Sequence, residues 1–217
     1  MTAKLDKALK RLTTLLPLRA RQNECGKPIR QLHQQVLRAF VTKGRILTRE
    51  EMAQQVGNLE DAVSALRNGE LVIFSADGEP VGAYPFTMEA REHKVRVNGH
   101  QVYAMCALDA LAVSPMFGMK TQIDSRCGMS GDAVNIRQSG EAIENADEVG
   151  DLHLGIAWGA ADADSRCADS LCKHMMFLRN GEVARQWLAH DAETREIFTL
   201  REAVEFARRL FVPLISG

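Results

Sequence analysis

The sequence predicts an α+β fold: an N-terminal winged-helix-like helical module, then a mixed α/β domain with short, mainly antiparallel strands. Three observations predict it. Apolar residues recur at helical spacing through the first 66 positions. An Asp77-Gly78 turn then separates two β-rich runs. Beyond residue 95, short strand-like runs take over, and two helical patterns close the chain.

The chain has 217 residues, enough to bury a substantial core as one domain or as a small domain fused to a larger one. With 46% hydrophobic and 25% charged residues it has an ordinary globular composition. A net charge of −1 argues against a general nucleic-acid or acidic-membrane binder, which carries an excess of Lys and Arg. No stretch approaches the roughly 18 apolar residues that would span a bilayer. The charged start Met1-Thr2-Ala3-Lys4-Leu5-Asp6-Lys7 lacks the apolar run of a signal peptide, so a cytoplasmic location is expected.

Residues 1–27 read as a helix and linker: Leu5, Ala8, Leu12, Leu15 and Leu16 form a stripe that Pro17 and Gly26-Lys27-Pro28 interrupt. A helix follows over 29–41, with Ile29, Leu32, Val36, Leu37 and Phe40 on one side. Thr48-Arg49-Glu50-Glu51 is a capping box opening a helix through Gln55, and 59–66 starts another. The run 71–74 and its return over 81–86 complete the winged-helix outline of residues 28–88. The domain boundary is expected near 85–92, leaving 89–217 as the second domain.

Residues 95–103 resemble a second hairpin, leading into a helix over 104–112. Strands are expected at 120–124, 133–137, 152–158 and 175–178, and helices at 182–190 and 200–210.

The five cysteines are Cys25, Cys106, Cys127, Cys167 and Cys172. An odd count fits a disulfide framework poorly, and neither CxxC nor a zinc-type His–Cys spacing occurs, so free thiols are expected. Cys106 and Asp109 stand three apart, which places them on one helix face. A thiolate is the preferred ligand for a soft metal. A carboxyl group in a dry pocket holds its proton to higher pH and becomes a general acid. A lone Cys-x-x-Asp is most often a core cysteine beside an unrelated carboxylate. Lys173 and His174 are expected to favour the thiolate of Cys172. His174 reads as support for the fold, Cys127 as a packing residue near the site, and Met105, Met116, Met119, Met175 and Met176 as apolar filling.

Three blocks together are more specific than the pair. Tyr103-Ala104-Met105-Cys106-Ala107-Leu108-Asp109-Ala110-Leu111, Ser125-Arg126-Cys127 with Gly131, and Ser170-Leu171-Cys172-Lys173-His174 with Phe177 resemble the organomercurial (alkylmercury) lyase family in order and spacing. The likeness covers roughly residues 30–190. It implies cleavage of the carbon–mercury bond of R–Hg⁺ by protonolysis, with Cys106, Cys172 and Asp109 as the catalytic trio. The same three would hold the product Hg2+, and Cys127 would be structural. The resemblance implies no cofactor, an organomercurial substrate, and small thiols or a mercuric reductase as Hg2+ acceptors. From the net charge of −1 and the lack of an apolar span, no nucleic-acid or membrane partner is expected. Met105 stands where the family often carries Trp, and Lys173 where some members carry a second Cys. Cys25 and Cys167 receive no role.

Two rival readings remain at this level. One is a soft-metal carrier for mercury or copper; Asp109, needed only for proton transfer, favours the enzyme. The other is a winged-helix metal-responsive regulator. Its recognition helix over 58–67 would carry Glu60 and Asp61 against one Arg, the wrong charge for a phosphate-lined groove.

Overall fold

A computed structural model describes residues 2–216; Met1 and Gly217, at the outer ends of the expected domains, lie outside it. Five helices come first: α1 (Thr2–Leu15), α2 (Leu18–Glu24), α3 (Gly26–Lys43), α4 (Arg49–Ala53) and α5 (Leu59–Asn68). The linker expected before residue 28 is instead helical. Pro17 ends α1 but serves as the N-cap of α2, and Pro28 falls in the first turn of α3, where a missing N–H breaks no helical bond. The capping box at Thr48 is formed in both directions, Thr48 accepting from the Glu51 N–H and Glu51 from the Thr48 N–H.

The strands and remaining helices are β1 (Ile73–Phe74), β2 (Pro80–Ala83), β3 (Phe86–Thr87), β4 (His93–Val97), β5 (His100–Ala104), α6 (Ala107–Phe117), β6 (Lys120–Arg126), β7 (Ala133–Ser139) and β8 (Ala142–Ile143). Then follow α7 (Ala146–Val149), β9 (His153–Ala157), β10 (Met175–Leu178), α8 (Gly181–Ala189), β11 (Arg195–Thr199) and α9 (Leu200–Ile215). Every pairing between these strands is antiparallel, giving the expected α+β class.

Eight strands make one sheet in the order β1-β2-β3-β5-β4-β6-β7-β8; β10-β9-β11 make a second. The return strand expected over 81–86 is broken at the cis Tyr84–Pro85 bond into β2 and β3. Since β3 pairs with β2 on one side and β5 on the other, one sheet holds strands from both sides of the boundary expected near 85–92. The first half of the chain is thus hydrogen-bonded to the second across the expected boundary.

α6 is the centre of the molecule. Its residues are apolar on every side and nearly all buried, as befits a helix enclosed all round. It packs against α9 on one side and β4 to β7 on the other, where Val95, Ile123 and Ile136 alternate inward. Pro115 inside α6 deprives the Leu111 carbonyl of its helical donor. The buried Gln138 of β7 supplies one instead, its Nε2 donating at 3.1 Å. The helical N-terminus is fastened to α9 in the same manner: Gln22 and Gln34 both donate to the Leu214 carbonyl, at 2.8 and 3.2 Å. Among the described residues no helix is long and apolar enough to cross a membrane.

The two sheets meet where Cys127 bridges to Phe177 in parallel, and the Gly128 N–H donates to the Phe177 carbonyl at 2.9 Å. A Cβ at Gly128 would lie 2.9 Å from the Met176 Cβ. Gly128→Ala is therefore expected to lower stability by about 1–3 kcal/mol, the usual range for overpacking, as a reduced urea midpoint at unchanged slope.

Candidate active site

Cys106 is delivered by the junction between β5 and α6. The helix expected from Ala104 begins only at Ala107: Ala104 ends β5, and Cys106 is the extended N-cap. Its sulfur accepts the Asp109 N–H at 3.4 Å, so thiol and carboxyl occupy the cap and third positions of one first turn. Helix amides there favour negative charge on the sulfur once its proton is gone.

Cys172 comes from the connection between β9 and β10. This stretch folds as two successive 3-10 turns, Cys167–Asp169 and Leu171–His174, just ahead of the strand expected over 175–178. Lys173 and His174 are exposed while Cys172 is buried. The turns therefore send the two basic side chains outward.

The three residues meet. One ligand atom each from Cys106, Asp109 and Cys172 lies within 4.8 Å of the others. Their exposures are 1%, 2% and 4%, so the cluster is dry. Burial pushes the Cys106 thiol up to about 12 and the Asp109 carboxyl up to about 7. Asp109 Oδ2 has no hydrogen-bond partner, which leaves the carboxyl aimed into the cluster unsatisfied. Hydrogen bonds to Cys106 and to Cys167, then burial, hold Cys172 well above the ordinary thiol range. This corrects the expectation that Lys173 and His174 would lower it. At rest the site is a pair of neutral thiols beside a carboxyl poised near neutrality.

Several neighbours were not legible as site residues. Met175, read as apolar filling, accepts the Cys106 S–H at 3.7 Å. The signal for it is the spacing of three from Cys172, which brings side chains to one side in a 3-10 turn but not in a strand. The Tyr84 phenol accepts the Ala168 N–H at 2.8 Å and so pins the loop bearing Cys172 to the first sheet. Burial, reinforced by the adjacent Cys172 and Cys167, pushes that phenol above its ordinary value. Cys167 lies 3.5 Å from Cys172, sulfur to sulfur. All five cysteines are free thiols. Cys127 is buried outside the trio; burial raises its thiol, but Ser130 and backbone donors outweigh this and leave it below the ordinary range. Cys25, between α2 and α3, is only partly buried.

Residues 86–212 match the family model for alkylmercury lyase (MerB). The alkylmercury lyase of Bacillus cereus is 24% identical over 201 residues, covering 92% of this chain and 89% of that protein. The enzyme of the same name from Staphylococcus epidermidis is 26% identical over 162 residues, 74% of this chain and 73% of its own. In structure, the fold is similar to the mercury-bound form of MerB2, with a TM-score of 0.72 at 18% identity over 92% of this chain and 98% of that one. With a matching family model spanning more than half its length, the chain belongs to the alkylmercury lyase family.

Proposed function

We propose that this chain is an organomercurial lyase in which Cys106 and Cys172 take the mercury of R–Hg⁺ and Asp109 protonates the departing carbon. The observation that carries the reading is the buried meeting of two thiols with a carboxyl group whose Oδ2 is unpartnered.

The residues allow a balanced sequence. The substrate arrives as R–Hg–SR′. The sulfur of one cysteine displaces R′S⁻, which leaves as R′SH with that cysteine's proton. The second cysteine gives its proton to the ionised Asp109 and binds mercury as a thiolate. Two thiolates raise electron density on the soft metal and weaken its bond to carbon. Asp109 then returns the proton to the carbon, releasing R–H and leaving Hg2+ on Cys106 and Cys172. A carboxyl group near 7 can both take and give that proton at neutral pH. Its fixed place in the first turn of α6 sets the proton beside the bond before it breaks. The sulfur ligands and one proton supply the whole reaction, so the proposed enzyme works without a cofactor. Small thiols or a mercuric reductase, in a cytoplasmic setting, would accept the ion.

The test is turnover of phenylmercury with excess small thiol, following benzene by gas chromatography. Benzene release at a rate above that of thiol alone is expected; tight mercury binding without benzene would mark a carrier. Acid catalysis also sets a pH dependence. Since Asp109 must be ionised to take the second cysteine's proton, the single-turnover rate should rise about tenfold per pH unit below about 7 and level off above it. A rate that stayed flat or fell from about pH 5 to about pH 7 would remove Asp109 as the carrier of that proton.

The α5 surface bears on the regulator alternative. Asn58 caps α5 by accepting the Glu60 and Asp61 N–H groups, and both acidic side chains crowd its first turn. No retardation of DNA is expected in a gel-shift titration at physiological salt.

A further inference from the structure

Cys167 has no part in the reaction just described, yet its position is specific. Three sulfurs stand in a row: Cys106 and Cys172 within 4.8 Å, and Cys172 and Cys167 at 3.5 Å. Exposure rises along the row, from 1% at Cys106 through 4% at Cys172 to 9% at Cys167. Cys167 alone of the three lines a cavity of about 270 Å³, whose wall also includes Arg166, Ser170, Asp162 and Asp164. Those residues are partly or fully exposed, so the cavity opens to solvent. Neither Cys106, Asp109 nor Cys172 contributes to its wall.

We propose that Cys167 is the exit ligand for Hg2+, receiving the ion from the buried pair and presenting it to an external thiol in this cavity. The inference rests on the reading that cleavage leaves Hg2+ on Cys106 and Cys172. Mercury(II) binds sulfur too tightly to leave as a free ion, so it moves by exchange of one sulfur for another. Such exchange requires the incoming sulfur to be in reach before the outgoing one departs. Cys106 and Cys172 are the more deeply buried two, whereas Cys167 touches Cys172 and lines the cavity.

The step balances without any redox change. The Cys167 sulfur bonds to mercury as the bond to Cys106 breaks, and the Cys167 proton ends on Cys106. The ion then bridges Cys172 and Cys167. Two external thiols R′SH next form two Hg–S bonds, break those to Cys167 and Cys172, and return one proton to each. Hg(SR′)2 departs and all three cysteines are again thiols.

The transfer can be measured without an organomercurial. Reduced full-length protein is loaded with one equivalent of HgCl2, desalted and mixed with excess glutathione. Loss of the mercury–thiolate ultraviolet absorption is then followed by stopped flow. Cys167→Ser should still bind one Hg2+ per chain but release it at least tenfold more slowly, while Cys25→Ser, a thiol outside the cluster and not part of the cavity wall, should match the unaltered protein. An unchanged rate in Cys167→Ser would mean that glutathione reaches the buried pair directly, and the proposal fails. Loss of Hg2+ binding in a folded Cys167→Ser would make Cys167 a primary ligand, which also overturns it.

A second measurement needs no variant. Brief alkylation of the reduced, metal-free protein with iodoacetamide should label Cys167 before Cys172 and Cys106 in peptide maps; the reverse order would refute the exit path. Benzene release from phenylmercury is assayed separately. Its absence would remove the lyase reading while leaving a slowed Hg2+ transfer to stand by itself.

Discussion

Asp109→Asn should reduce hydrocarbon release by a factor of about 10²–10⁴, the range for losing a positioned general acid, while leaving the capture of mercury intact. The amide keeps the size of the side chain and the Asp109 N–H that caps onto Cys106, so both thiols stay where they are. Mass spectrometry of the variant after exposure to phenylmercury should show one R–Hg adduct per chain with no benzene in the headspace. The same substitution should stabilise the protein, in a pH-dependent way. Asp109 ionises ordinarily at 3.8 but at about 7 in the fold, because burial disfavours the charged form. Below pH 3.8 both folded and unfolded chains hold the proton, and the site carries no penalty. As pH rises toward 7 the unfolded chain ionises while the folded chain does not, so stability falls. Above 7 the loss levels off at about 4 kcal/mol, from about 1.36 kcal/mol per pKa unit. Asn cannot ionise and escapes this loss. Any fixed effect of burying the amide drops out when the variant-minus-parent difference at pH 4 is subtracted from that at pH 8. The remainder should be a gain of several kcal/mol in urea unfolding. No change between the two pH values would mean that Asp109 titrates normally. A site that is destabilising and active in one residue fits the general trade-off between stability and function.

How much of this was written plainly in the chain differs by element. The helices α3, α5, α8 and α9 and the strands β4, β5, β6 and β7 carry strong periodic patterns, and their places follow from those patterns. β11 was not legible: Arg195-Glu196-Ile197-Phe198-Thr199 is mostly half-buried, so its alternation is weak, and pairing with β9 alone makes it a strand. The break at Tyr84–Pro85 and the continuity of the sheet through β3 are long-range facts, set by pairing with β5 some seventeen residues on. At the site, the three-block resemblance pointed to Cys106, Asp109 and Cys172. Spacing alone could pair only Cys106 with Asp109. The dry environment of Cys172, the role of Met175 and the contact with Cys167 depend on two 3-10 turns. That geometry leaves almost no trace in Arg166-Cys167-Ala168-Asp169-Ser170-Leu171-Cys172.

The two thiols should prove unequal when each is replaced by Ser, although either change should lower hydrocarbon release by at least about 10³. The activity loss has one cause in both variants: a hydroxyl is a hard ligand, and with one sulfur the metal keeps too little electron density to release carbon. The folds should respond in opposite ways. Cys106 is the N-cap of α6, and Ser is among the best caps whereas a thiol accepts weakly. Its oxygen would accept the Asp109 N–H, so Cys106→Ser should be as stable as the parent or more stable, by up to about 1 kcal/mol. Cys172 caps nothing; it is buried among Cys106, Cys167 and apolar neighbours. Ser there puts a hydroxyl where only weak sulfur partners stand, and an underbonded buried hydroxyl lowers stability by about 1–3 kcal/mol. Urea unfolding of the two variants beside benzene release separates chemistry from fold. An inactive Cys106→Ser with undiminished stability can have lost only the sulfur that binds mercury. If Cys106→Ser retained benzene release, mercury would not be held by this pair, and the mechanism would need a different sulfur.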